Sequence, residues 1–175
     1  MSSNIINLLW ESFLETILMV GVSGGLGAAI GIPLGVFLFV TSPKGIMPKP
    51  YVNRIIGTVV NAVRSTPFII LLVAIIPFTR LIVGSSIGTV AAIVPLTIAA
   101  APLIARLVET SLREVDKGLI EAAQSMGATN TQIICKVLIP EAMPGILAGL
   151  TIAFVALVGS CLLYTSPSPR DGLLS

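Results

Sequence analysis

The sequence predicts an all-α fold, a bundle of helices that crosses a membrane several times. Of the 175 residues, 55% are apolar and only 10% are charged, and the mean hydropathy is +1.03. Soluble domains are nearly as apolar but carry about 25% charged residues, so the shortage of charge indicates a membrane protein. Several apolar runs also reach the roughly 20 helical residues that crossing a bilayer requires. Each run is predicted as a helix because backbone groups in lipid must be paired internally.

The predicted transmembrane domain covers residues 1–160. Three apolar runs are long enough to span the bilayer, and a fourth is too short to cross alone; they are 17–40, 55–78, 82–105 and 145–160. In the first run, Gly27, Gly31 and Gly35 recur every four residues, which places small residues where another helix can approach closely. These glycines predict bundle packing and do not by themselves indicate a function.

Composition excludes several classes of function. The net charge is only +2 and no basic run is interleaved with aromatic residues, so a nucleic-acid partner is not expected. Two cysteines and no histidine argue against a disulfide framework and against a histidine-based metal or catalytic site. An intramembrane enzyme is disfavoured, since the spans offer no acidic residue or histidine to act as a base. We therefore predict no catalytic residue, no metal and no cofactor bound by this chain.

The basic residues predict an orientation. The link 41–53 carries Lys44 and Lys49, whereas the N-terminal segment has two glutamates and no basic residue. Positively charged links lie in the cytoplasm, which places the N-terminus outside and the link 106–144 inside. Between Ile17 and Ala105 there is no acidic residue, although ion-coupled carriers generally need an ionisable group at membrane depth. Any transport must therefore draw its energy from elsewhere.

The last stretch, CLLYTSPSPRDGLLS, differs in character from everything before it. Back-translated, it looks like the transposase-adaptor sequence used to prepare DNA libraries, so residues 161–175 are expected to be a non-native tail. The alternative is a disordered tail rich in serine and proline. On the first interpretation the natural sequence is interrupted near Ser160, and the fourth span is cut short there.

The stretch EAAQSMGATNTQIICKVLIP, residues 121–140, interrupts the apolar sequence with helix boundary signals. Asp116 can cap a short helix that Gly127 ends in the left-handed conformation. Thr129 and Gln132 then match a capping box that opens a second helix, and Pro140 is expected to end it. The pattern predicts two short helices with a sharp bend at Gly127, on the cytoplasmic side.

This element has three plausible roles, as a structured loop, as a helix lying on the lipid surface, or as a docking element for a soluble partner. A surface helix favours basic residues opposite large aromatic ones, but this stretch has no aromatic residue. A flexible loop does not need two sets of caps. Docking of a helix into a groove of a partner protein is the remaining interpretation.

The motif resembles a known family at this point. Glu121-Ala122-Ala123, Gly127, Val137 and Ile139-Pro140 are similar to the "EAA" loop of importer permeases in the ATP-binding-cassette superfamily. Three longer stretches resemble the methionine-import permeases within it: RSTPFIILLVAIIPFTRLIVGSSIG, AAIVPLTIAAAPLIARLVE and GLIEAAQSMGATNTQIICKVLIPEAMPG. The resemblance covers nearly all of residues 1–160.

The resemblance implies a type I importer permease fold, with a fifth span in the full-length protein. It also implies a homodimer in the bacterial plasma (inner) membrane, surrounded by lipid. The expected partners are a cytoplasmic ATPase that binds the ATP and an external substrate-binding lipoprotein. The residues implied to couple the permease to the ATPase are Glu121, Ala122, Ala123, Gly127 and Pro140. A second group resembles a stretch near the pore entrance and is a candidate for gating: Arg64, Ser65, Thr66, Pro67 and Phe68. For Arg64, an interfacial anchor is an equal alternative.

The predicted function is therefore the pore-forming subunit of an ATP-driven amino-acid importer, with methionine as the substrate that the resemblance implies. The chain lacks the G-x-x-x-x-G-K-[ST] phosphate-binding sequence, so ATP hydrolysis is expected on a separate chain. The alternative is a membrane scaffold whose cytoplasmic loop recruits a partner without moving any solute.

Overall fold

The computed structural model describes residues 2–43, 45–66, 68–83 and 89–165, and within these ranges the regular elements are all helices. Seven α-helices and one π-helical segment follow each other within the described ranges. In order they are α1 (Ser2–Thr41), α2 (Pro50–Ser65), α3 (Phe68–Val83), α4 (Thr89–Arg113), α5 (Lys117–Ser125), α6 (Asn130–Ile133), the π-helix Ile134–Leu138, and α7 (Ile139–Thr165). The all-α fold predicted from the sequence is confirmed.

Among the described elements, helices α1 and α4 make the most extensive contact, and glycines make their close approach possible. A Cβ atom added at Gly27 would lie 2.7 Å from the Cβ of Ala100, and one at Gly35 would lie 2.5 Å from the carbonyl oxygen of Ala105. Both distances are too short for a real side chain. The small face predicted from the four-residue glycine repeat therefore packs directly on the α4 backbone.

A single apolar cluster connects the membrane-length helices to the short ones that follow. It contains residues of α1, α4 and α7 together with Ala123 of α5 and Ile133 of α6. Ile133 and Leu138 are among the most completely buried large side chains in the described part of the chain. The segment between α4 and α7 is thus attached to the same core as the spans.

By length and composition, three helical stretches of the described residues could cross a membrane: Leu9–Thr41, Ile93–Arg113 and Asn130–Ser160. The first agrees with the predicted span 17–40, although α1 begins well before it. The predicted tail 161–175 is helical as far as Thr165, and residues 166–175 lie outside the described residues. The origin of that tail stays a prediction.

The second predicted span, 55–78, is not one helix. Helix α2 ends at Ser65 and α3 begins at Phe68. Thr66 between them is extended, with φ −76° and ψ 125°, because the residue before a proline, here Pro67, is disfavoured in the helical conformation. The span was predicted from the apolar character of the run, which does not indicate this break.

The third predicted span, 82–105, and the predicted cytoplasmic link 106–144 do not coincide with the limits of the helices. Helix α4 runs from Thr89 to Arg113 without stopping at the first charged residue, Arg106. The charges in its last turns pair with one another, so they do not oblige the helix to end. Much of the predicted link is consequently continuous with the spans on either side of it.

The fourth predicted span, 145–160, lies within a longer helix. Helix α7 begins at Ile139 and contains Pro144 in its interior. Pro140 is the second residue of α7, shortly after the π-helix Ile134–Leu138. Pro140 was predicted to end a helix, but neither proline does so.

Candidate functional site

The candidate site is the segment around α5 and α6, and its local structure follows from its capping residues. Asp116 precedes α5, and its carboxylate accepts a hydrogen bond from the backbone N–H of Gly118 at 2.9 Å. This bond satisfies one of the free donors at the helix start. The predicted beginning of the first short helix is therefore confirmed.

Helix α5 ends in a complete Schellman motif at Gly127. The Gly127 N–H donates to the carbonyl of Gln124 at 2.9 Å, and the Ala128 N–H donates to that of Ala123 at 3.1 Å. Gly127 has φ 78°, the one positive φ among the described residues. Only glycine adopts this conformation without strain, so the sharp bend predicted at Gly127 is confirmed.

The next helix opens with the predicted capping box. The backbone N–H of Thr129 donates to Gln132 Oε1 at 3.0 Å, and the N–H of Gln132 donates to Thr129 Oγ1 at 3.4 Å. The two residues thus satisfy each other's free backbone groups. The bend between α5 and α6 is held from both sides.

Pro140 does not end the second helix, contrary to the prediction. Helix α6 passes through the π-helix Ile134–Leu138 into α7, and the Ile139 N–H bonds to the carbonyl of Ile134, five residues back. A proline ring in a regular helix clashes with the carbonyl four residues before it. The wider π-turn immediately ahead of Pro140 relieves this crowding, so the helix continues.

One face of α5 is anchored and the other is exposed. Ala123 is only 4% exposed and belongs to the main core cluster, whereas Met126 is 81% exposed. Leu119, Glu121 and Ala122 are also exposed. Of the four apolar residues at helical spacing, at positions 119, 122, 123 and 126, only Ala123 is buried. The other three, together with Glu121, form an exposed surface, which we call the α5 face: Leu119, Glu121, Ala122 and Met126.

A shallow cleft separates α5 from the end of α1. Its volume is about 180 Å³, and it is lined by Phe39 and Ile46 on one side and by Lys117, Ile120 and Glu121 on the other. Glu121 therefore stands at the edge between this cleft and the α5 face. The residues described contain no group of three histidine, cysteine or acidic residues that could hold a metal ion.

The second group of predicted site residues lies on a different element. Arg64 and Ser65 are exposed in the last turn of α2, and Thr66 Oγ1 donates to the carbonyl of Ala62 at 2.9 Å. Pro67 and the Phe68 side chain lie outside the described part of the structure. Helix α2 packs on α4 and α1, whereas α5 contacts α6 and the π-helix. The structure therefore does not bring the two groups together into one site.

Sequence reasoning missed a charged network on α4. Glu109 is 3% exposed, and its carboxylate pairs with Arg106 at 2.5 Å and with Arg113 at 2.6 Å. Arg106 also donates from Nη2 to the carbonyl oxygen of Gly57 on α2 at 3.0 Å. The spacing of three and four residues places all three charges on one helix face. This spacing is the sequence signal from which the network could have been predicted.

Comparison with known proteins decides the family. A family model described as "Binding-protein-dependent transport system inner membrane component" matches residues 31–165, which is most of the chain. The chain belongs to this family. As a member of this family, the chain is an inner membrane transport component with several apolar helices.

Individual relatives are similar along most of their length. A "Probable D-methionine transport system permease protein MetI" from Vibrio cholerae is 57% identical over 87% of this chain and 68% of its own. The D-methionine transport system permease protein MetI of Escherichia coli K12 is 54% identical over 91% of this chain and 73% of its own. The methionine import system permease protein MetP of Bacillus subtilis is 48% identical over 87% and 68%.

Solved structures agree in fold. A chain of the MetNI methionine ABC transporter, in an inward-facing conformation, superposes with a TM-score of 0.90 at 52% identity and covers 93% of this chain and 76% of its own. A chain from an amino acid ABC transporter superposes with a TM-score of 0.66 at 22% identity and covers 93% of this chain and 74% of its own, which shows the common fold alone.

Proposed function

We propose that this chain is the pore-forming subunit of an ATP-driven importer of methionine. The similarity to methionine permeases from three bacteria, at 48–57% identity, supports the substrate class. The chain is a transporter subunit and not an enzyme, since its relatives are permeases and ATP hydrolysis belongs to a separate chain. The relatives include D-methionine permeases, so the D-enantiomer is within the proposed substrate range.

The observation that carries the proposal is the α5 face. Helix α5 is fixed at both ends by caps and on one side by Ala123, yet it leaves apolar side chains uncovered. A rigid helix with an exposed apolar face is suited to insertion into a groove of a partner protein. We assign this partner as the cytoplasmic ATP-binding-cassette ATPase, with Glu121, Ala122, Ala123 and Gly127 forming or shaping the contact.

The small size of Ala122 matters for this contact because it lets the α5 backbone approach the partner closely. Gly127 fixes the angle between α5 and the following α6, and Ala123 fixes the position of α5 on the core. Pro140 acts one step further away, where the π-helix passes into α7. Displacement of α5 is therefore transmitted to α4, which precedes it in the chain, and to α7, which follows it. Both of these helices contribute to the core.

The proposed assembly is a homodimer in the bacterial plasma membrane with its N-terminus outside. One small chain that must enclose a path is expected to pair around a two-fold axis. The positively charged link before α2 and the basic end of α4 support a cytoplasmic position for α5. An external binding protein is proposed to deliver the substrate, and lipid to cover the outward apolar faces.

Transport is proposed to occur by alternating access. ATP binding closes the partner pair, and the two α5 helices are driven together, so that the spans open alternately to each side. Arg64 and Ser65, exposed at the end of α2, are proposed to stand at the entrance of the path, together with residues 66–68. The energy source is outside this chain, in line with the absence of acidic residues between Ile17 and Ala105.

The test is reconstitution of the full-length permease with its ATPase in lipid vesicles supplied with binding protein and labelled methionine. ATP-dependent uptake that saturates with methionine and stops when Mg²⁺ is removed is the expected result. Binding of the ATPase with no uptake and no stimulated hydrolysis would instead indicate a scaffold. Uptake of another amino acid in preference to methionine would contradict the substrate assignment.

A further inference from the structure

The buried carboxylate of Glu109 pairs with two arginines in the last turns of α4. Arg106 Nη1 donates to Oε2 at 2.5 Å from the preceding turn, and Arg113 Nη2 donates to Oε1 at 2.6 Å from the following one. Glu109 is 3% exposed, Arg106 is 21% and Arg113 is 57%. A buried carboxylate is tolerated only when it is paired, and it is the more buried Arg106 that provides the partner inside the protein.

Arg106 connects this pair to a second helix. Its Nη2 donates to the carbonyl oxygen of Gly57 on α2 at 3.0 Å, while Nη1 remains on Glu109. The planar guanidinium group allows the two bonds to be made at once in a fixed geometry. Its Nε is buried and has no hydrogen-bond partner among the described residues, so the orientation of the group depends on the bonds at Nη1 and Nη2.

The bond between Arg106 and Gly57 joins α4, which leads into α5, to α2, which ends at the proposed entrance of the path. Helix α4 ends at Arg113, and only residues 114–116 separate it from α5. Helix α2 ends at Ser65, next to the exposed Arg64. Movement of α5 is therefore passed to α4 directly, but it reaches the end of α2 only through contacts between α2 and the core.

We propose that Glu109 is a positioning residue of the transport cycle, which acts through Arg106 to clamp α2 to α4. The clamp makes α2 move with α4 when the ATPase displaces α5. This proposed role of Glu109 rests on the proposed function of the chain. A hydrogen-bonded ion pair has a defined geometry, which suits the coupling of two elements that must change position together.

The test uses three variants of the full-length permease, each assembled with its ATPase in lipid vesicles: Glu109→Gln, Glu109→Asp and, as the matched control, Glu114→Gln. Glu114 is exposed and makes no ion pair in the described structure. We expect Glu109→Gln to bind the ATPase and hydrolyse ATP within about twofold of the unaltered protein, while methionine moved per ATP falls about tenfold. Glu109→Asp, which keeps the charge, restores most of this ratio, and Glu114→Gln leaves it unchanged.

A ratio unchanged by Glu109→Gln would overturn the proposal, and so would equal losses of uptake and hydrolysis. If Glu109→Gln fails to assemble, the Arg106→Lys variant is tested instead, since one ammonium group cannot span both acceptors as the guanidinium does.

Spin labels at Thr58→Cys and Thr110→Cys, both exposed positions, then report the α2–α4 distance in a background without native cysteines. A broadened distance distribution supports the clamp, and an unchanged one overturns it. Absence of uptake by the unaltered protein would contradict the proposed function alone, because the spin-label distances still test the clamp.

Discussion

Gly31 on α1 lies directly against Ala101 on α4: a Cβ atom added at Gly31 would come within 2.8 Å of the Ala101 carbonyl oxygen. The Cβ of Ile104 would also be only 2.9 Å away. A backbone carbonyl cannot turn aside as a flexible side chain can. The two helices are therefore in contact along a line where glycine alone fits.

Substitution of Gly31 by alanine should destabilise the bundle by about 1–3 kcal/mol, because an added methyl group forces the two backbones apart. Thermal unfolding of the purified protein in detergent measures the effect. Gly25→Ala is the matched control, since a Cβ at Gly25 meets nothing within 4 Å. Equal melting temperatures for the two variants would show that α1 and α4 do not pack in this way.

Replacement of Gly127 by valine should misdirect α5. Gly127 has φ 78°, a conformation that costs an L-residue about 1–2 kcal/mol and a β-branched one more. We expect normal membrane insertion but weaker capture of the ATPase, measured by co-purification from membranes. Gly127→Asn is the control, because asparagine tolerates the left-handed conformation. Undiminished capture by the valine variant would count against docking through α5.

Two neighbouring alanines of α5 should respond differently to enlargement. Ala123 is buried in the core, whereas Ala122 is exposed on the α5 face. Ala123→Phe should lower the melting temperature, since overpacking a core costs about 1–3 kcal/mol. Ala122→Phe should leave the melting temperature unchanged and reduce ATPase binding, measured as the affinity of the solubilised permease for its ATPase. Binding unaffected by Ala122→Phe would show that the partner docks elsewhere.

The local elements around α5 could be predicted from the sequence because their causes are local. Asp116, Gly127, Thr129 and Gln132 each form the cap that residue type and spacing predict. The same is true of the glycine repeat in α1, where a small face implies a close neighbour. In these cases the physical signal lies within about one helical turn.

The span limits were harder to predict, because they depend on partners that the local sequence does not reveal. Arg106 was interpreted as the start of a link, but its pairing with Glu109 lets α4 continue to Arg113. Pro140 was interpreted as a helix end, but the preceding π-turn accommodates it. The bond from Arg106 to Gly57 joins residues 49 positions apart, and no periodicity indicates it.

The turn between α1 and α2 offers the last test. Asn53 Nδ2 donates to the carbonyl oxygen of Leu38 at 2.6 Å and to Thr41 Oγ1 at 3.2 Å, so it holds the start of α2 against the end of α1. Asn53→Ala leaves that carbonyl without this donor and should destabilise the protein by about 1–2 kcal/mol in thermal unfolding. Asn53→Asp should be at least as harmful, because a carboxylate cannot donate and places a second acceptor beside the carbonyl. Asn61→Ala, at an exposed position on the same helix, should have little effect. Wild-type stability in Asn53→Asp would show that this side chain does not fix α2 to α1.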